Sequence, residues 1–147
     1  MNILTSGDNA AIGEMLTADP RVDMVGFTGS TGVGKRIGEV CGSQVKRVQL
    51  ELGGKSAAIV LPDMPGLTHV AGAMGATVCF HAGQGCAIFT RLLVPKSELD
   101  ACADAVIQSL KNVKYGDPFD PENIMGPQNS ALQREGVEGH IQHAIDQ

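Results

Sequence analysis

An apolar-rich segment, Val22 to Phe27, runs through Thr28-Gly29-Ser30 into a stretch of helical character from Thr31 to Val40. A strand that feeds a helix through a glycine turn commits the chain to an α/β architecture, because the helix must return along the sheet to bury its apolar stripe. Ile37 and Val40 are the expected core positions of that helix. The alternation recurs downstream. Val45 to Glu51 alternates apolar and polar side chains as a half-buried strand does. Lys55 to Leu61 reads as a further strand, stopped by Pro62, and a helix over Thr68 to Val78 follows, rich in small residues. A strand over Arg91 to Val94 precedes a helix reaching Asn112, with Ser97 and Asp100 in capping-box positions. Upstream, Asn2 to Thr5 is expected as a short strand and Ala10 to Leu16 as a helix that Pro20 prevents from extending. Gly116 to Gln128, with three prolines, reads as a loop, and a last helix runs from about Ser130. The predicted fold class is α/β with a largely parallel sheet.

Composition narrows the function. Hydrophobic residues make up 43% and charged residues 18% of the 147, a globular balance. A net charge of −5 and the lack of a basic run with interleaved aromatics argue against nucleic acid as a partner. No apolar stretch is long enough to span a bilayer. The four cysteines, Cys41, Cys79, Cys86 and Cys102, form no C-x-x-C pair and no zinc-like cluster with histidine. An even count admits two disulfides, but a glycine-rich chain without a secretory signal points to reduced thiols and a cytoplasmic setting.

Three segments carry chemistry. The strand-to-helix turn at Gly29 and Ser30 aims backbone N–H groups and the positive end of a helix at one spot, which suits a pyrophosphate. Gly29 to Lys35 also matches the G-x-x-x-x-G-K pattern of the nucleotide-binding P-loop. Arg36, however, stands where that motif needs a hydroxyl for magnesium. Glu51 ends a predicted strand just before Gly53-Gly54, and a carboxylate so placed can serve as a general base. Cys86 follows Gly83-Gln84-Gly85, a turn tight enough to direct backbone N–H groups, including that of Cys86, at an oxyanion. A thiolate attacks carbonyls well and leaves readily from a thioester. Cys41, Cys79 and Cys102 read instead as small apolar core residues. The histidines His69, His81, His140 and His143 form neither a triad nor a metal set.

Together, Phe27-Thr28-Gly29-Ser30, Glu51-Leu52-Gly53-Gly54-Lys55-Ser56 and Phe80-His81-Ala82-Gly83-Gln84-Gly85-Cys86, in this order, resemble the aldehyde dehydrogenase superfamily. The resemblance covers essentially the whole chain and corresponds to the middle of such an enzyme. It implies that residues 1–52 are the later part of a Rossmann-like NAD(P)-binding domain and residues 53–147 the first part of an α/β catalytic domain. It implies Cys86 as nucleophile, Glu51 as base, and Gly29, Ser30, Leu52, Gly7 and Gly13 as cofactor-binding positions, with no metal. Lys55 would support the turn rather than react. The implied reaction oxidises an aldehyde with NAD or NADP through a thiohemiacetal and a thioester, released by water or by coenzyme A. The partners implied are a small aldehyde and, for full-length family enzymes, further copies of the same chain. The alternative is a truncated, inactive polypeptide that acts at most by binding or with a partner. Two departures stand out: Asn9 where many members carry glycine, and Ile88 where many carry a small residue.

Overall fold

A computed structural model describes all residues, 1–147. The chain forms two compact units, Met1–Gly54 and Lys55–Gln147. The resemblance puts the division after Leu52.

The first unit contains α1 (Asn9–Ala18), β1 (Met24–Thr28), α2 (Thr31–Ser43) and β2 (Arg47–Glu51). Asp8 starts α1 by accepting the Ala11 N–H at 3.0 Å. Strands β1 and β2 pair in parallel, from Met24 opposite Arg47 to Thr28 opposite Glu51. Helix α2 makes the crossover that parallel pairing requires. It buries Gly34, Ile37, Val40 and Cys41, one helical stripe that includes both expected core positions. Each large apolar side chain on that stripe contributes roughly 1.5–3 kcal/mol when fully buried. Helices α1 and α2 are joined on the surface by Arg36, which pairs with Glu14 and with Glu39. The guanidinium hydrogen bond holds the Glu14 carboxyl below its ordinary range. Lys46 closes the end of α1, its Nζ donating to the carbonyls of Thr17 (2.8 Å) and Asp19.

Helix α2 ends in a Schellman motif. The Lys46 N–H donates to the Cys41 carbonyl at 2.9 Å and the Val45 N–H to the Gly42 carbonyl at 3.2 Å. This geometry puts Val45 at φ 57°, the left-handed position that glycine normally fills, with its side chain in solvent. A β-branched residue is poorly suited to it. Val45→Gly is therefore expected to stabilise the first unit by about 1 kcal/mol, read as a higher denaturant midpoint at unchanged slope.

The second unit contains β3 (Ser56–Ile59), α3 (Leu67–Ala76), a 3₁₀ segment (Thr77–Gly83), β4 (Phe89–Leu93), a 3₁₀ turn (Lys96–Glu98), α4 (Leu99–Lys111) and α5 (Ala131–Ile145). Strands β3 and β4 are again parallel, with a register shift between Ser56 and Ala57. Helices α3 and α4 approach closely because α3 is built of small residues. A Cβ placed on Gly75 would lie 2.6 Å from Val106 Cγ2, and one on Gly72 would lie 3.1 Å from the Ala105 carbonyl oxygen. Ala71 and Cys102 are fully buried at this contact.

Two expectations fail. Asn2 to Thr5 is irregular and exposed, because β1 pairs only with β2 and a strand without a neighbour leaves its backbone groups unpaired. Ser97 does not cap α4. Pro95 opens a 3₁₀ turn closed by the Glu98 N–H donating to its carbonyl at 2.9 Å, so Ser97 lies inside that turn and the helix starts later, without a side-chain cap. All four cysteines are free thiols, and no helix is long and apolar enough to cross a membrane.

Candidate active site

In the first unit, the parallel register brings the turn after β1 beside the end of β2. The Gly29 N–H donates to the Glu51 carbonyl at 3.0 Å, extending the ladder by one step. Leu52 then lies over α2: a Cβ on Gly34 would meet Leu52 Cδ2 at 2.5 Å, so a larger residue there would push the Leu52 side chain aside. Gly29, Ser30, Glu51 and Leu52 thus form one cluster. Ser30 caps α2, its Oγ accepting from Val33 at 3.4 Å and its carbonyl accepting from Gly34 at 2.9 Å. Those two bonds use up the third and fourth N–H groups of the helix start. The N–H groups of the exposed Thr31 and Gly32 have no partner within the chain, and free N–H groups at a helix start favour anions.

Beside this turn, a groove of about 480 Å³ runs between α1, β1 and α2, lined in part by Asn9, Gly13, Gly26, Gly32, Val33 and Arg36. The donor set at the start of α2 and this groove fit a pyrophosphate-bearing cofactor. Gly13 lies on the groove wall. Gly7 is in the irregular segment before α1, and a Cβ placed on it would meet nothing within 4 Å. Arg36, the residue that breaks the P-loop pattern, is committed to Glu14 and Glu39. Glu51 itself is exposed and makes no ion pair within the chain.

In the second unit, Cys86 is exposed on the turn between the 3₁₀ segment and β4. The helical path breaks at Phe80, which is extended, and the backbone then turns left-handed at His81 (φ 49°), Ala82 (φ 54°) and Gly83 (φ 78°). For a non-glycine residue this region costs roughly 1–2 kcal/mol. Hydrogen bonds offset that cost. The backbone N–H and side-chain Nε2 of Gln84 both donate to the His81 carbonyl, at 3.1 and 2.8 Å. Gln128 Nε2 donates to the Ala82 carbonyl at 2.7 Å, and Gln84 Oε1 accepts the Asn129 N–H at 2.9 Å. The Cys86 N–H has no partner within the chain.

Ile88, the bulky departure noted in the sequence, packs back on Gly85. A Cβ there would lie 2.8 Å from Ile88 Cδ1. Lys55 takes part through its backbone: its carbonyl accepts Arg91 Nε at 2.9 Å, tying the start of β3 to β4. Sequence reasoning missed Gln128 and Asn129. They lie more than forty residues from the turn they hold, and nothing local in a proline-rich loop marks them.

The chain matches the aldehyde dehydrogenase family profile over residues 1–147. It is 39% identical over 142 residues to 3-succinoylsemialdehyde-pyridine dehydrogenase of a Pseudomonas species, covering 97% of this chain and 30% of that protein. It is 37% identical to succinate-semialdehyde dehydrogenase [NADP(+)] 2 of Schizosaccharomyces pombe, covering 99% of this chain and 29% of that protein. Among solved structures, an aldehyde dehydrogenase of Mycobacterium tuberculosis complexed with NAD+ superposes with a TM-score of 0.86 at 41% identity, over 91% of this chain and 28% of that one. The chain therefore spans about 30% of the length of the curated relatives it matches. It belongs to the aldehyde dehydrogenase family.

Proposed function

We propose that the chain carries the nucleophile, the base and part of the cofactor site of an NAD(P)-dependent oxidation of an aldehyde to a carboxylic acid. Residues 1–52 belong to the cofactor-binding domain and residues 53–147 to the catalytic domain. The observation that carries this reading is the exposed Cys86 thiol, on a braced left-handed turn with a free N–H, in a chain of this family. The Cys86 sulfur, as thiolate, forms a bond to the carbonyl carbon, and the carbonyl π electrons move to oxygen. The Cys86 N–H donates to that oxyanion. Gly29, Ser30, Leu52, Gly13 and Gly7 would contribute to holding NAD or NADP, which would supply the hydride acceptor needed for the oxidation of the Cys86 adduct. Glu51 then removes a proton from water, the water oxygen bonds to the acyl carbon, and the Cys86 thiolate leaves. Coenzyme A in place of water would give an acyl-CoA. The neighbours' names support either nicotinamide cofactor, and the succinate semialdehyde in the name of one relative supports a carboxylated aldehyde as a first substrate to try. The free thiols suit a cytoplasmic protein.

A second reading has its own observation. Each sheet has only two strands, and Ile59, Leu61, Phe89 and Leu93 around the second sheet, with Met24 and Val48 in the first, are exposed. Such surfaces favour a polypeptide that works only when another chain, or a second copy, covers them. One assay separates the readings. The purified chain is given succinate semialdehyde with NAD+ or NADP+, and reduced nicotinamide and acid are counted over a range of protein concentrations. Any turnover is expected to give one acid per reduced cofactor. Specific activity that is independent of concentration favours the chain alone, and activity that rises with concentration favours association. No reduced cofactor at any concentration, and no mass adduct on Cys86, would sink the reading of this chain as an enzyme by itself and leave the reading in which a different chain must cover these faces.

A further inference from the structure

The turn that presents Cys86 is gripped from one side by two consecutive residues of a distant loop. Gln128 donates through Nε2 to the Ala82 carbonyl at 2.7 Å, and Asn129 donates through its N–H to Gln84 Oε1 at 2.9 Å. Gln84 in turn donates Nε2 to the His81 carbonyl, so its amide is used at both ends. The loop that delivers Gln128 is itself pinned. The Gly116 N–H donates to the Met125 carbonyl at 3.0 Å, the Ile124 N–H to the Lys114 carbonyl at 2.9 Å, and Lys114 pairs with Glu122 at 2.8 Å. Just beyond it Ser130 caps α5, accepting from Gln133 at 3.3 Å.

Of the three left-handed residues, Gly83 pays no steric penalty, and histidine is several-fold enriched in this region. Ala82 has neither advantage, since it lacks a polar side chain that could bond locally. It is the one residue of the run whose conformation must be imposed from outside, and the bond from Gln128 falls on its carbonyl.

From this geometry we propose that Gln128 is a positioning residue for Cys86: its amide holds Ala82 left-handed and so fixes the orientation in which the turn offers the thiol and its N–H. The proposal rests on the reading of Cys86 as the nucleophile. Gln128 touches no reacting atom and acts through the backbone of the turn.

The test compares the chain with its Gln128→Ala, Gln128→Glu, Ala82→Gly and Gln128→Ala/Ala82→Gly variants. The rate of Cys86 alkylation by iodoacetamide at fixed pH is followed by peptide mass spectrometry. Hydrogen exchange is followed in the peptide covering Phe80 to Cys86. Loss of one hydrogen bond to the turn is expected to slow Cys86 alkylation by about fivefold to tenfold and to speed exchange by a similar factor in Gln128→Ala. Gln128→Glu should behave the same way, because a carboxylate keeps the shape but cannot donate to a carbonyl. Ala82→Gly should restore the double variant to within about twofold, because glycine takes the left-handed conformation without help. A side chain that merely fills space would be replaced by Glu and would not be rescued at Ala82. Unchanged alkylation and exchange in Gln128→Ala, or no rescue by Ala82→Gly, would overturn the proposal. Neither readout needs aldehyde or cofactor. A chain that shows this pattern yet oxidises no aldehyde therefore loses the functional reading and keeps the clamp, and a chain that oxidises aldehyde without this pattern does the reverse.

Discussion

Cys86→Ser is expected to lower aldehyde oxidation by on the order of 10⁴-fold or more while leaving cofactor affinity within about twofold. The asymmetry follows from chemistry. A hydroxyl is a weak nucleophile near neutral pH without a dedicated base, and an alkoxide is a far poorer leaving group than a thiolate. Both the attack and the release would suffer, whereas the groove beside Gly29 and Ser30 belongs to the first unit and keeps its donors. No other cysteine is placed to substitute: Cys41 and Cys102 are fully buried and Cys79 is half-buried. The measurement pairs the rate of reduced-nicotinamide formation with calorimetric binding of the oxidised cofactor, on the same assembly state of the chain. A Cys86→Ser rate within about tenfold of the original would remove Cys86 from its role, since loss of a covalent nucleophile costs far more than that.

How much of this was legible in the sequence depends on how local each signal is. The run from β1 through Gly29-Ser30 into α2 was readable because strand, turn and helix each write their pattern into contiguous residues, and Ile37 and Val40 were readable from helical spacing. The clustering of Glu51 and Leu52 with that turn was not. It depends on a parallel register between segments about twenty residues apart, and on Gly34 leaving room for the Leu52 side chain. The glycine-rich turn before Cys86 was visible, but the left-handed residues are His81 and Ala82 as well as Gly83, and composition gave no hint of the first two. What holds them, Gln128 and Asn129, lies in a loop whose sequence announces only prolines. Asn2 to Thr5 shows the converse error. A short apolar run has strand character, but a strand needs a partner, and no partner is adjacent. Ser97 shows another: a capping pattern is overridden when the preceding proline starts a different turn.

Glu51→Gln is expected to separate the two halves of the reaction. Glutamine keeps the size and position of the side chain at the end of β2, and the anchoring bond from the Gly29 N–H to the Glu51 carbonyl is a backbone contact that the substitution leaves in place. What is lost is the ability to take a proton from water. Release of the Cys86 thioester should then slow by about 10²- to 10⁴-fold, the usual worth of a positioned general base. Rapid mixing with aldehyde should still give a first burst of about one reduced cofactor per active chain, because thioester formation precedes the step that needs the base. After the burst the steady rate should collapse, and intact mass spectrometry should find the acyl group on Cys86. If the burst slows as severely as the steady rate, Glu51 also serves to deprotonate the Cys86 thiol. If neither changes, Glu51 is an exposed surface carboxylate with no part in the reaction. The same variant reports on the acyl acceptor. An added thiol acceptor such as coenzyme A attacks as its own thiolate and needs less help than water, so recovery of steady turnover in Glu51→Gln with coenzyme A would show that the acyl group can leave to sulfur as well as to oxygen.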